Sequence, residues 1–529
     1  MSKQYLISFF LNLLSGILFF LSFPKFGHGI FAWFCFVPSL LVLFYLKNTQ
    51  VSLKKIFLLG VAFGIAGYCG LLYWIVPTFV VAGENVIFGV IAVILLSLYC
   101  SLYYSLFYIF SFYVQKINLF FYSLLLSCLW ILLEYLKSFL FSGFPWMLLG
   151  YSQYENLKMI QIAEYFGVYG VSFILIFFNV FLTRALYELF LKKKFLEFIF
   201  RISLLSFFIL LVNIYGHNRI KTINEKIKKI NNKLTVAILQ GNIDQYKKWD
   251  RQYIDYIMNT YSELVFLSHK EIEEKKHNLV LYIWPESSAP GCVLQEDYLY
   301  NWIVSLVKLT NTKKIISYHL VGSIRKGNKK DEYYNSAMLF EFKNSKVIVR
   351  QIYDKIHLVP FGEYVPLRSV LGKFISTVNE LGEFTEGKRN VVFRLNAKEM
   401  RFSTLICYES VFPELTKKFV INGAKFLVNI TNDAWFLKTS APYQHFIFNI
   451  FRAIENRCYL IRAANTGISS IIYPTGYVYK KTNLFETTKI VDVINIYHED
   501  TFYTKYGEYL WLMYLAGFLL LTIFLYKKT

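Results

Sequence analysis

Phe402-Ser403-Thr404-Leu405-Ile406-Cys407-Tyr408-Glu409 is a short apolar run that ends abruptly in a thiol, a phenol and a carboxylate. Its density of strand-forming residues predicts a buried β-strand over Phe402–Cys407. Two other runs end in the same manner. Leu279–Ile283 leads into Trp284-Pro285-Glu286, and Val347–Asp354 leads into Lys355. In α/β folds, groups at strand ends converge on a common crevice. A carboxylate, an ammonium and a thiol gathered there have a definite chemistry. A free thiol, with a pKa of about 8.5, is only slightly ionised at neutral pH and needs a base to become a nucleophile. Glu286 supplies that base. Lys355 faces the negative oxygen formed when the thiolate of Cys407 attacks a carbonyl. Taken singly, a cysteine at a strand end is ordinary packing, and Glu or Lys after a strand is an ordinary turn residue. Spacing alone therefore leaves the triad open.

The surrounding 290 or so residues, His217–Gly507, read as one α/β domain. Further strands are expected at Thr235–Gln240, Lys314–Ile324, Ser336–Phe342, Val391–Leu395, Lys425–Ile430, Ile461–Ala464 and Ser469–Tyr473. Hairpin turns are expected around Asn344-Ser345 and at Asn396–Met400. Helices are expected at Gln252–Glu274, Asp297–Leu309, Phe412–Ile421 and Tyr443–Cys458. Strands interspersed with helices predict layered sheets flanked by helices.

Outward from this domain the sequence turns apolar. The 529 residues are 56% hydrophobic with a mean hydropathy of +0.41, far from a soluble composition. A membrane-crossing helix needs about 20 apolar residues. Eight candidate spans appear: Tyr5–Phe23, Gly29–Leu46, Ile56–Val76, Val86–Val114, Leu119–Phe141, Val168–Leu191, Ile199–Tyr215 and, beyond the α/β domain, Tyr509–Tyr526. The expected organisation is thus a bundle over residues 1–216, a catalytic domain over 217–507 and a last span over 508–529. Ser22-Phe23-Pro24 is a poor cleavage site, so the first run reads as an uncleaved anchor. One set of short loops and ends carries Lys3, Lys47, Lys54, Lys55, Lys116, Lys192, Lys193, Lys194, Lys527 and Lys528; the other carries Lys25, Lys137 and Lys158. The positive-inside rule puts the first set, with both termini, in the cytoplasm and the α/β domain outside.

The net charge of +21 comes without any nucleic-acid-binding pattern, and an anionic membrane surface accounts for it. The seven cysteines form no CxxC pair, and His357 and His445 are not spaced as metal ligands, so neither a disulfide framework nor a metal is expected.

Several words occur in order: Trp284-Pro285-Glu286-Ser287, Tyr334-Asn335-Ser336, Asp354-Lys355-Ile356-His357-Leu358-Val359-Pro360-Phe361-Gly362-Glu363, Ile406-Cys407-Tyr408-Glu409 and Asn429-Ile430-Thr431-Asn432-Asp433-Ala434-Trp435-Phe436. In this order they resemble the nitrilase superfamily, and Val236–Asn242 followed by Lys248-Trp249, with Trp130 and Glu134 ahead of Gly143-Phe144-Pro145-Trp146, narrow the resemblance. Within it, the chain is similar to the bacterial apolipoprotein N-acyltransferases. The resemblance implies a nitrilase-like α-β-β-α sandwich carried on an eight-helix transmembrane bundle. It implies Glu286 as general base, Lys355 as oxyanion partner and Cys407 as thioester-forming nucleophile. Glu363, Tyr408 and Glu409 would support them, and Trp249, Trp435 and Trp146 would line the substrate cleft. The charged insert Lys270–His277 departs from the pattern near Trp249.

The implied reaction moves a fatty acyl chain from a phospholipid donor to the N-terminal amine of a diacylglyceryl-cysteine lipoprotein, without cofactor, metal or nucleic acid, at the outer face of the bacterial inner membrane. Two other functions fit the same residues. A membrane-anchored amidase would give the thioester to water, and a lipoprotein-binding protein would use no chemistry.

Overall fold

The computed structural model describes residues 3–47, 49–248, 250–276, 278–329, 331–365, 383–395 and 400–526. The chain divides into two compact units. One comprises Met1–Thr222, Phe436–Ile447 and Thr501–Thr529; the other comprises Ile223–Trp435 and Phe448–Asp500.

The first unit is helical. Among the described residues, seven segments are long and apolar enough to cross a membrane: Gly29–Leu46, Leu53–Leu72, Val86–Tyr113, Leu119–Phe139, Met159–Leu191, Phe195–Lys228 and Phe502–Phe524. The expected count of eight is corrected to seven by the first run, whose apolar helix Gln4–Phe20 falls in a shorter class. Its 17 residues rise only about 25 Å, against a hydrocarbon core of about 30 Å. The helix stops because Pro24 has no N–H to donate and the chain turns back, with His28 N donating to the Leu21 carbonyl at 2.8 Å.

Small residues let these helices approach closely. A Cβ added at Gly60 would lie 2.5 Å from the Ser105 backbone, and one at Gly64 would lie 2.3 Å from the Ser101 side chain. This four-residue spacing packs Leu53–Leu72 onto Val86–Tyr113. Gly167, at φ +62°, breaks the helical path just before Val168, where the sixth expected span begins. Buried polar groups are used for stitching. The Asn179 side chain accepts from Phe36 N and donates to the Ala32 carbonyl, and Glu134 accepts from Leu149 N at 2.9 Å. The segment Phe436–Ile447 belongs to this unit although the sequence places it deep in the α/β domain. The Gln444 carboxamide oxygen accepts from the indoles of Trp74 (3.2 Å) and Trp146 (2.9 Å), while its nitrogen donates to the Leu71 carbonyl (3.2 Å).

Among the described residues, the second unit holds twelve strands: β1 Lys233–Gln240, β2 Leu279–Ile283, β3 Ile316–Lys326, β4 Tyr333–Lys343, β5 Lys346–Asp354, β6 Phe393–Arg394, β7 Arg401–Ile406, β8 Phe426–Thr431, β9 Leu460–Ala464, β10 Ser470–Ile472, β11 Val478–Lys481 and β12 Thr488–Asn495. They form two six-stranded sheets, ordered β12-β1-β2-β3-β4-β5 and β11-β10-β9-β8-β7-β6. Each has three parallel strands at its centre, β1-β2-β3 and β9-β8-β7, with antiparallel partners outside. The sheets approach each other where β1 nears β9 and β4 nears β7. Helices Ile254–Glu274 and Asp297–Thr310 cover the first sheet through a core that includes Tyr261, Leu264, Trp284, Trp302 and Ile303. Helices Pro413–Ile421 and Ala441–Asn456 connect the parallel strands of the second. Strands β8 and β9 are buried along their whole length, as a sheet covered on both faces requires. The layers are α-β-β-α.

All ten expected strands form. Asn344 and Ser345 both take positive φ, the geometry of a tight hairpin turn between β4 and β5. The second expected hairpin turn is flanked by β6 and β7, paired antiparallel; its residues 396–399 lie outside the described residues. Strands β11 and β12 were not expected, and β12 pairs antiparallel with β1 along eight residues.

Candidate active site

Loops after the parallel strands β2, β7 and β8 and after the antiparallel strand β5 build one buried cluster within the second unit. After β2, Glu286 is buried at 6% exposure. Its Oε1 accepts from Asn335 Nδ2 (2.7 Å) and lies 3.5 Å from Lys355 Nζ; its Oε2 accepts from the backbone N–H of Asn432 (2.8 Å). After β5, Lys355 is 1% exposed and held by Glu363 at 2.8 to 2.9 Å. Asn335 Nδ2 also donates to Glu363 Oε1 (2.8 Å), so one carboxamide spaces the two carboxylates. Val359 N donates to Glu363 Oε2 at 2.8 Å and fixes that side chain within its own turn.

After β7, Cys407 takes φ +52°, a left-handed conformation that a non-glycine residue holds only when its surroundings impose it. Glu409 does much of the imposing. Its Oε2 accepts from Ile406 N (2.7 Å). Its Oε1 accepts from Tyr353 Oη (2.7 Å), Ile356 N (2.7 Å) and His357 N (3.1 Å). One carboxylate thus clasps the thiol-bearing turn to the turn that carries Lys355.

Electrostatics follow from burial. Burial, and then the charge of Glu286, push the Cys407 thiol well above its ordinary pKa, while Lys355 and a hydrogen bond with Thr431 pull it back. The resting thiol therefore keeps its proton until a base takes it. Burial works against the ammonium of Lys355, yet Glu363 and Glu286 outweigh it and hold its pKa above the usual lysine value. Burial raises Glu409 to about 7 against the hydrogen bonds from Ile406 and Tyr353. Asp433, which also faces the thiol, is neutralised by Arg462 at 2.7 Å, both fully buried.

The residues expected from sequence fall into three groups. Glu286, Lys355, Glu363, Cys407 and Glu409 share this cluster. Tyr408 is half-buried beside it, its ring packed 5.1 Å from Phe412 and 6.0 Å from His357. Trp435 is 37% exposed on the turn after β8, Trp146 is buried within the other unit against Gln444, and Trp249 lies outside the described residues. Sequence reasoning assigned no role to Asn335, Asn432 or Lys248, although each stands inside a quoted word. Lys248 Nζ donates to the Glu286 main-chain carbonyl at 3.0 Å.

Residues 235–495, which hold both sheets and this cluster, match the carbon–nitrogen hydrolase family. Residues 15–181 match the apolipoprotein N-acyltransferase N-terminal domain. The chain is 36% identical over 502 residues to a Geobacter metallireducens apolipoprotein N-acyltransferase, covering 94% of this chain and 92% of that one. A Rickettsia prowazekii protein of the same name is 29% identical over 541 residues, with 98% of both chains covered. A solved Saccharomyces cerevisiae member of the nitrilase superfamily is 15% identical, with a TM-score of 0.37, over 53% of this chain and 95% of that one. The chain belongs to the apolipoprotein N-acyltransferase family.

Proposed function

We propose that the protein N-acylates lipoproteins in two half-reactions through a cysteine thioester. Phospholipid is the acyl donor, and the N-terminal amine of a diacylglyceryl-cysteine lipoprotein is the acceptor. Glu286 takes the proton of the Cys407 thiol, and the thiolate attacks the sn-1 ester carbonyl. Lys355 stabilises the resulting oxyanion, with the Tyr408 backbone N–H as a second donor. The carbon–oxygen bond then breaks, and protonated Glu286 returns its proton to the departing lysophospholipid alcohol, leaving the acyl chain on sulfur. In the second half-reaction the neutral amine attacks the thioester and loses a proton to Glu286. The carbon–sulfur bond breaks, and the thiolate recovers that proton. Glu363 keeps Lys355 charged, and Glu409 holds the two turns together. Trp249, Trp435 and Trp146 are proposed to contact the acyl chains or their approach.

Exchanging an ester for an amide is downhill, so the cycle needs no nucleotide. Lipid-borne substrates give a reason for an acyl-transfer domain, here taken as residues 217–507, to sit in one chain with the spans of 1–216 and 508–529. In the proposed topology it lies on the periplasmic side of the bacterial inner membrane and both termini are cytoplasmic, which requires the short helix Gln4–Phe20 to cross as well. Reporter fusions at the two ends test that point: a periplasmic N-terminus with a cytoplasmic C-terminus overturns it.

The observation that carries the chemistry is the buried contact of Glu286 with Lys355 beside the Cys407 thiol, in a chain whose described residues include seven membrane-length helices. Purified full-length protein incubated with phospholipid alone should stall with one fatty-acyl adduct on the Cys407 peptide, discharged when a diacylglyceryl peptide is added. Steady release of free fatty acid would instead identify an amidase. Adduct formation by Cys407→Ala would remove the proposed nucleophile.

A further inference from the structure

Two ionisable side chains stand inside the membrane-length helix Leu119–Phe139, where charge is expensive and calls for a partner. Glu134 is 4% exposed and Lys137 5%. Three residues apart, they are neighbours on one face of the helix. Neither makes an ion pair among the described residues. Lys137 Nζ donates instead to Tyr68 Oη at 2.6 Å and lies 5.1 Å from the centre of that ring. Glu134 Oε1 accepts from Leu149 N at 2.9 Å, while its Oε2 has no partner at hydrogen-bond geometry among the described residues. One turn earlier, the buried indole of Trp130 lies toward the same carboxylate, yet its Nε1 also closes no hydrogen bond.

Glu134, Lys137 and Trp130 line one small cavity, with Tyr68 and Met147 among its other walls. Its volume, about 10 Å³, is the room one water needs. The chemistry of the walls selects that occupant. An ammonium has three donors, and Lys137 spends one on Tyr68. An apolar occupant would leave the remaining donors, a carboxylate oxygen and an indole N–H unanswered in a low-dielectric interior, where unanswered polar groups are most costly. The Lys137 ammonium repels a metal cation. A water answers all three groups together: it accepts from Lys137 Nζ and Trp130 Nε1 and donates to Glu134 Oε2. Three hydrogen bonds are the usual complement of a buried water.

We propose that this cavity is a water site and that its water joins Glu134 and Lys137 into a water-bridged ion pair within the helical unit. The pair also carries a turn. Glu134 holds Leu149 N, and the Lys137 carbonyl accepts from Phe144 N at 2.9 Å, so both ends of residues 144–149 hang from these two residues. Between those ends Met147 takes φ +48° and reaches the cavity, and Trp146 donates to Gln444. The water therefore helps to fix the turn that presents Trp146. This holds whichever chemistry operates at Cys407.

The test uses the full-length protein in lipid. A high-resolution crystal structure should show one ordered density within about 3.2 Å of Glu134 Oε2, Lys137 Nζ and Trp130 Nε1. Lys137→Met leaves the carboxylate buried without its counter-charge and should lower the thermal unfolding temperature by roughly 5 °C or more. Adding Glu134→Gln removes that charge but keeps an acceptor for Leu149 N, so the double variant should regain part of the loss. If Lys137→Met does not fold, folding of the double variant reads the same rescue. A wild-type cavity without that density overturns the water site. A double variant no more stable than Lys137→Met overturns the ion pair.

Discussion

Glu409→Gln probes the clasp between the turns that carry Cys407 and Lys355. The carboxylate receives four hydrogen bonds, one at Oε2 from Ile406 N and three at Oε1 from Tyr353, Ile356 and His357. A carboxamide has one oxygen. In its better orientation it keeps the three donors at that oxygen and points its NH2 at Ile406 N–H, donor against donor. At least one bond to a charged acceptor is lost, which amounts to about 1.5–3 kcal/mol. Ile406 immediately precedes Cys407, whose left-handed backbone depends on that anchor. If the loss falls on the step that forms the thioester, the rate drops by roughly 10- to 150-fold. Tyr353→Phe is the graded control. It removes one of three donors at Oε1 without touching the Ile406 anchor, so its effect should stay at the low end, about 1.5 kcal/mol, or roughly tenfold. The assay is the rate of acyl-adduct appearance on Cys407 by intact mass. A wild-type rate for Glu409→Gln, or a Tyr353→Phe defect as large as that of Glu409→Gln, would refute the clasp.

Because burial raises Glu409 from 4.5 to about 7, the folded protein binds a proton there that the unfolded chain releases. Its contribution to stability is fully present below pH 4.5 and declines as pH rises to about 7, by roughly 3 kcal/mol; Glu409→Gln should flatten that part of the stability–pH curve. Arg462→Met should leave Asp433 buried without its counter-charge and cost about 3–5 kcal/mol, read as a lowered unfolding temperature. Glu363→Gln removes the larger of the two charges that hold Lys355 protonated, so the alkaline limit of adduct formation should move to lower pH; an unchanged pH profile would sever that link.

How far the sequence was legible depended on burial. The central strands of both sheets are covered on two faces and appear as unbroken apolar runs, as at β8 and β9. Strand β11 is exposed along Tyr479, Lys480 and Lys481, and β12 is only half-buried, so neither has the apolar density that marks a strand, and β12 takes its identity from pairing with β1. The first membrane run was read three residues too long because apolar composition continues through Leu21–Phe23 while the chain has already begun to turn. In the candidate site, Glu286, Lys355 and Cys407 stood out because each follows a strand directly. Asn335 and Asn432 act through contacts with residues far away in sequence, 49 and 146 positions from Glu286, and no local pattern reveals such a partner. Lys248 was overlooked beside a more conspicuous tryptophan; a lone lysine in a polar loop gives no sign that its charge will be buried.

The membership of Phe436–Ile447 in the helical unit bears on how this protein can be dissected. A fragment cut at His217 and Gly507 would carry away Gln444 and leave two indole N–H groups, on Trp74 and Trp146, without their shared acceptor. The same fragment would display Phe446 and Ile447, side chains that are buried in the intact chain. The acyl-transfer portion is thus not a cassette that can be excised or grafted at its sequence borders, and swaps between relatives should exchange this dozen residues along with the helices they pack against.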